Sequence, residues 1–215
     1  MLIHMLKIEC MEVGPFQANC YLVWGPARRA LVLDPGAEAD TILDALNHHR
    51  LEVAAYLVSH GHMDHISALA ALYEQRPAPY ALHAADCQWA FTPANQAPPY
   101  YMTPRQPAAS PLFLQNGQLW TPAEDLVCRV IATPGHSPGS LCFYFEDNGV
   151  LFSGDTLFQG SVGRTDLPGG DGALLTQSLK TLARLSPATR LYPGHGSHTT
   201  LAKELRSNPY LTDHG

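Results

Sequence analysis

The chain has 215 residues, with 13 Lys plus Arg against 19 Asp plus Glu and a formal net charge of −6. At this length one domain is the expectation, burying roughly 70% of its unfolded surface, and the acidic balance lacks the clustered cations with which proteins displace counterions from nucleic acid. No run of about 18 apolar residues is present to span a membrane, residues 1–10 lack a signal-peptide core, and five cysteines, odd in number and without a C-x-x-C pair, read as free thiols of a reducing compartment, which points to the cytoplasm.

Short apolar runs predict strands over 6–13, 19–24 and 30–33, separated by Gly14-Pro15 and Gly25-Pro26 turns. Ile42, Leu43 and Leu46 recur at helical spacing within 40–50, with Asp40 as the expected N-cap. A compact apolar run over 54–59 reads as a buried strand leading into His60, and 66–73 reads as a second helix. Residues 93–111 hold Pro93, Pro98, Pro99, Pro104, Pro107 and Pro111, a density that no helix or central strand tolerates. That loop, carrying Tyr100 and Tyr101, is expected to overhang the functional site as a partial lid that contacts substrate. Further strands are expected over 126–131, Leu141–Phe145, 150–152 and 190–192, with helices over 173–185, capped by Asp171, and over 199–206. Strands alternating with helices imply a layered α/β architecture.

The chemistry concentrates in the histidines, of which there are 11. His60-Gly-His62-Met-Asp64-His65 sets three imidazoles and a carboxylate directly after a predicted buried strand. Imidazole and carboxylate suit zinc, iron or manganese. The same device recurs three times: a predicted strand runs into Pro-Gly-His136, into Gly-Asp155 and into Pro-Gly-His195. A glycine precedes each of these three residues and lets the backbone turn sharply where the strand ends. Side chains collected from several strand ends make a metal site at one edge of a sheet.

This pattern resembles the metallo-β-lactamase fold superfamily. His60, His62, Asp64 and His65 match its HxHxDH motif, and His136, Asp155 and His195 match its later single-residue motifs in order. Thr133-Pro-Gly-His-Ser-Pro-Gly-Ser140, Ser153-Gly-Asp-Thr-Leu-Phe158 and Tyr192-Pro-Gly-His-Gly196 are similar to the glyoxalase II group of thioester hydrolases. The resemblance, which runs from Phe16 to Leu211, implies a four-layer αβ/βα sandwich of two mixed sheets flanked by helices. It implies two divalent metal ions, zinc first, with iron or manganese as alternatives. His60, His62 and His136 would hold one ion and Asp64, His65 and His195 the other, with Asp155 bridging both. It further implies hydrolysis of a small-molecule thioester resembling S-D-lactoylglutathione by a metal-bridging hydroxide, with Asp64 orienting the nucleophile.

Two departures bear on the substrate. Only 20 residues follow His195, too few for the helical domain with which two-domain glyoxalase II enzymes contact glutathione, and Arg164 and Asp166 stand where those enzymes carry Lys and Tyr. Gly163-Arg-Thr-Asp166 also resembles the persulfide dioxygenase branch, which would use a single iron on His60, His136 and Asp155. A phosphodiesterase of the same fold is a third reading, disfavoured by the few cations. Arg164 reads either as a clamp for a substrate carboxylate or as a brace paired with Asp166. Lys203 and Arg206, three residues apart on the last predicted helix, read either as a joint grip on a substrate carboxylate or as a solvated face.

Overall fold

The computed structural model describes residues 5–212; His4 and His214, expected from sequence to be structural or solvent-exposed, lie outside that range. In chain order the elements are β1 (Lys7–Val13), β2 (Ala18–Trp24), β3 (Arg29–Leu33), α1 (Ala39–His48), β4 (Glu52–Leu57), α2 (Met63–Ile66), α3 (Leu69–Gln75), β5 (Tyr80–Leu82), α4 (Ala84–Cys87), β6 (Leu112–Phe113), β7 (Leu119–Ala123), β8 (Leu126–Ala132), β9 (Leu141–Phe145), β10 (Val150–Gly154), β11 (Leu157–Phe158), β12 (Ser161–Val162), α5 (Gly172–Leu182), β13 (Arg190–Pro193), β14 (Thr199–Thr200), α6 (Leu201–Ser207) and α7 (Pro209–Thr212). One six-stranded sheet runs β1-β2-β3-β4-β5-β6 and a second runs β14-β13-β10-β9-β8-β7. Each is mixed: β3, β4, β5 and β6 pair in parallel, as do β10 and β13, and the remaining pairs are antiparallel.

Alternation along the strands sorts the core into three slabs. Tyr21, Val23, Leu31, Leu33 and Leu57 of the first sheet meet Val130, Phe143, Phe145 and Phe152 of the second between the sheets. The opposite faces take the helices: Leu22, Val32 and Tyr56 pack with Ile42, Leu46, Leu69 and Leu72 of α1 and α3, while Cys142, Tyr144 and Leu151 pack with Leu175, Leu179 and Leu182 of α5. The result is the expected αβ/βα sandwich. Because both faces of the central strands are covered, β2 is buried at every position and is apolar along its length but for Asn19.

Local chemistry explains where the elements depart from expectation. Asp40 is not the cap of α1. Glu38 occupies that position in left-handed geometry, φ 55°, and its carboxylate accepts from Gly14 N–H, which leaves Asp40 in the first turn. The helix expected over 66–73 is two helices, broken where Ser67 Oγ bonds back to Met63 O at 2.6 Å and Ala68 N–H donates to Pro35 O. The proline-rich loop forms neither helix nor strand. Asn95, buried within it, donates to Gly61 O and Ala90 O and accepts from Met63 N–H, tying the loop to the histidine motif.

Asp171 caps α5 as expected, accepting from Ala173 and Leu174 N–H at 2.8 and 3.0 Å. Asp171→Ala should therefore lower stability by about 1 kcal/mol and Tm by about 2–4 °C, read by thermal melting. Asp86 is a larger constraint. Fully buried, it accepts from Gly61 N–H at 2.8 Å, Ser137 Oγ at 2.6 Å and Gly139 N–H at 2.7 Å, and so clasps the loop after β4 to the loop after β8. Asp86→Ala strands the buried Gly61 and Gly139 N–H groups and leaves Ser137 Oγ only Ser140 Oγ, and should cost about 3 kcal/mol or more, read as a lowered denaturant midpoint; a loss below about 1 kcal/mol would show the clasp to be dispensable.

Candidate metal centre

The chain leaves β4 at Leu57, passes Ser59 and His60, and opens α2 at Met63, so His60 and His62 precede the helix while Asp64 and His65 lie in it, all four buried. The second sheet delivers the rest from its strand ends: His136 after β8, Asp155 after β10 and His195 after β13. The glycines before these residues do two different jobs. Gly135 and Gly154 adopt φ 138° and 47°, backbone that a side chain resists, whereas at Gly194 a Cβ would collide with Asp155 Oδ1 and His65 Cε1.

All seven side chains converge as two triads. In one, His62 Nδ1 lies 2.9 Å and His60 Nε2 3.2 Å from His136 Nε2. In the other, His195 Nε2 lies 3.2 Å from His65 Nε2 and 3.3 Å from Asp64 Oδ2. Asp155 stands between them, with Oδ2 3.5 Å from His136 Nε2 and 3.6 Å from His195 Nε2, and Oδ1 3.6 Å from His65 Nε2. Buried Asp155 Oδ1 has no hydrogen-bond partner, and ring nitrogens aimed at one another cannot all carry protons. Both features fit a cation among the donors, and this donor set suits divalent metals.

The outward nitrogen of three of the rings is held by a partner, and of the three partners the sequence singles out only Arg164, for its side chain rather than its carbonyl. His60 Nδ1 lies 3.0 Å from Ser59 Oγ, His65 Nδ1 3.2 Å from Asp34 Oδ2, and His136 Nδ1 2.8 Å from the Arg164 carbonyl. Asp34, at the end of β3, also accepts from Ser59 N–H and Oγ and sits at φ 51°; its signal was a carboxylate ending a strand. Asn19 donates to Pro193 O and Gly196 O, bracing the turn that bears His195.

The two triads differ electrostatically. Burial, reinforced by His136, pushes His62 down to about 3, and burial with the neighbouring rings holds His60 well below the usual imidazole value. On the other side burial opposes charge, yet Asp155, Asp64 and Asp34 outweigh it and raise His65 to about 10. His195 is raised against its burial by Asp64 and Asp155, and Asp64 is lowered against its burial by His65 and His195. His60 and His62 thus favour the neutral imidazole, whereas neighbouring carboxylates draw His65 and His195 toward the charged form.

The triads floor a cleft of about 600 Å3 walled by Phe16, Gln96, Phe158, Val162, Arg164 and Leu167 among others. Of the expected substrate contacts, Arg164 reaches this wall, with its guanidinium paired to Asp166 at 2.6 and 2.7 Å. The proline-rich loop overhangs the cleft through Gln96 and Ala97, not through its tyrosines. Tyr101 is buried against Phe16 and Tyr100 packs on the same ring, both facing a separate groove beside Pro15 and Glu38. Lys203 and Arg206 are exposed on α6 and absent from the cleft wall. They were placed by nearness in sequence to His195, and the α6 face that turns inward carries Leu201 and Glu204 instead. No cysteine lines the cleft, and burial raises Cys128 to about 12 and Cys142 to about 11, which excludes them as thiolate nucleophiles.

A family model described as the metallo-beta-lactamase superfamily matches residues 13–195. The hydroxyacylglutathione hydrolase GloC of Haemophilus influenzae is 33% identical over 209 residues, spanning 96% of this chain and 98% of its own. The solved BLEG-1 B3 metallo-beta-lactamase is 36% identical with a TM-score of 0.89, spanning 96% of this chain and 100% of that one. A protein solved in a di-iron-bound form is 39% identical with a TM-score of 0.84, over 94% and 100%. Strand-end donors on a two-sheet sandwich, a family match that covers all seven of them and near-complete coverage in both directions agree: this chain belongs to the metallo-β-lactamase superfamily and is one of its metallo-hydrolases.

Proposed function

We propose that the protein is a binuclear metal-dependent thioester hydrolase whose substrates include S-D-lactoylglutathione-like thioesters. The observation that carries this reading is the pair of donor triads joined by Asp155 at the floor of an open cleft. His60, His62 and His136 would hold one ion, Asp64, His65 and His195 the other, and Asp155 both. Bound there, two divalent ions supply Lewis acidity and a water of lowered pKa. The chain's own residues set the geometry. Asp34, Ser59 and the Arg164 carbonyl fix the imidazole tautomers, and we assign to Asp64 the orientation of the attacking water. Phe16, Phe158 and Leu167 restrict solvent around the reacting carbonyl. GloC, named as a hydroxyacylglutathione hydrolase, supports the choice of thioester, and iron and zinc both suit the donors.

Metal-loaded protein should hydrolyse S-D-lactoylglutathione, followed as loss of thioester absorbance, and chelation should abolish the activity. Opening of a β-lactam ring, or oxygen uptake with glutathione persulfide, without thioester cleavage would overturn the reading. Asp155→Ala should lose both ions because its carboxylate is the shared donor, whereas His195→Ala should retain about one per chain, measured as metal-to-protein ratio after gentle purification. Two ions retained in Asp155→Ala would remove Asp155 from the bridge.

A further inference from the structure

Beside the metal cleft opens a second cavity of about 480 Å3, and the two share His62, Met63, Gln96 and Leu167 as a common wall. Its remaining walls are Trp89, Ala94, Pro138, Pro168 and Gly169, so among the described residues no Asp, Glu, Lys or Arg lines it. Trp89 is half-buried, with its indole 5.2 Å from the His62 ring. Its backbone is fixed on both sides: Trp89 N–H donates to Asp86 O, and its carbonyl accepts from Thr92 Oγ1. The backbone that carries this aromatic wall is thus held beside one of the candidate ligands. The metal cleft, for its part, presents a single Lys or Arg among the described residues, Arg164, whose charge Asp166 already engages. A glutathione moiety brings two carboxylates to a wall whose one basic side chain among the described residues is solvent-exposed and already paired with Asp166, while an apolar group finds a ready surface.

Resting on the thioesterase reading above, we propose that this cavity receives an uncharged apolar arm of the substrate, carried on the acyl carbon or on the sulfur, and that apolar thioesters are preferred over glutathione thioesters. Removing such an arm from water favours binding in proportion to its area, and an arm seated beside His62 holds the carbonyl over the triads.

The test uses the metal-loaded protein and two uncharged series, one lengthening the acyl group of N-acetylcysteamine thioesters from acetyl to hexanoyl, the other lengthening the alkyl thiol of acetyl thioesters. One series should gain ~tenfold or more in kcat/KM along its length, which identifies the arm. Independently of turnover, a non-hydrolysable S-hexyl thioether of N-acetylcysteamine should bind at least ~tenfold tighter than its S-methyl counterpart, by calorimetry. Ala94→Phe, at an exposed wall position, should fill the cavity and flatten both trends at unchanged metal content, and Trp89→Ala should do so by removing the wall. No gain in either series together with equal binding of the two thioethers overturns the proposal, as does S-D-lactoylglutathione outrunning every apolar thioester. Preferential binding of the S-hexyl thioether, lost in Ala94→Phe, with no thioester turned over would uphold the cavity and reject the thioesterase reading.

Discussion

Asp155 is a carboxylate taken out of water with one oxygen unpartnered, facing imidazoles from both triads. An ionised carboxylate in that position is stable only against compensating positive charge. The rest of the structure follows from supplying that charge at one point. Its donors come from four different strand ends, one in the first sheet and three in the second, so the point must lie at the rim where the sheets meet. The apolar slab between the sheets, built by Leu31, Leu33, Leu57, Phe143 and Phe152 among others, therefore sets the spacing of the donors as well as the stability of the fold. Close-packed interiors deform little, so a register error in that slab would reach the triads.

Buried polar ties convert strand-end positions into fixed side chains. Asp86 joins the first histidine loop to the loop of His136, Asn95 joins the proline-rich loop to the same motif, and Asn19 with Tyr21 braces Pro193 before His195. Farther out, fully buried Glu204 accepts from Gly160 N–H and Thr199 Oγ1, which couples α6 to the hairpin of β11 and β12 at the cleft wall. Apart from those on Pro193 and Thr199, these ties end on connections without regular structure. Loops that carry functional groups need such side-chain bonds because they lack the repeating ladder that orders strands and helices.

The sandwich and the convergence of seven donors were legible because their signals are local. Ligand-type residues follow apolar runs directly, and a Gly immediately before three of them marks the turn. What escaped has a physical reason in each case. β5 has three residues, β6 two, and β7 contains Pro122 at the edge of its sheet, so none offers a period long enough to read. Asp34 and Asp86 act 31 and 53 residues away from His65 and Gly139, a pairing that only the folded topology creates. Tyr100 and Tyr101 line a different groove, and Lys203 and Arg206 face solvent, for the converse reason: a place on a loop or a helix does not say which way a side chain points once the loop turns or the helix rotates.

The charge balance of the site fits its apolar surroundings. Two divalent ions against the carboxylates of Asp64 and Asp155 would leave net positive charge at the cleft floor, in a chain whose formal charge is −6. On the thioesterase reading, that local excess would lie where an oxyanion develops on a substrate carbonyl, and a metal site's own ions are its dominant charges. Further cations along the wall would add little to that step and would draw anions of every kind toward the ions. A wall whose one basic side chain among the described residues, Arg164, is paired with Asp166, and which continues into Trp89, Pro138 and Leu167, would instead keep the field centred on the metals and leave selection of the rest of the substrate to desolvation. On that reading electrostatics would act on the bond to be broken and apolar contact on the choice of molecule, a division of labour that a small, acidic chain with few basic residues can support.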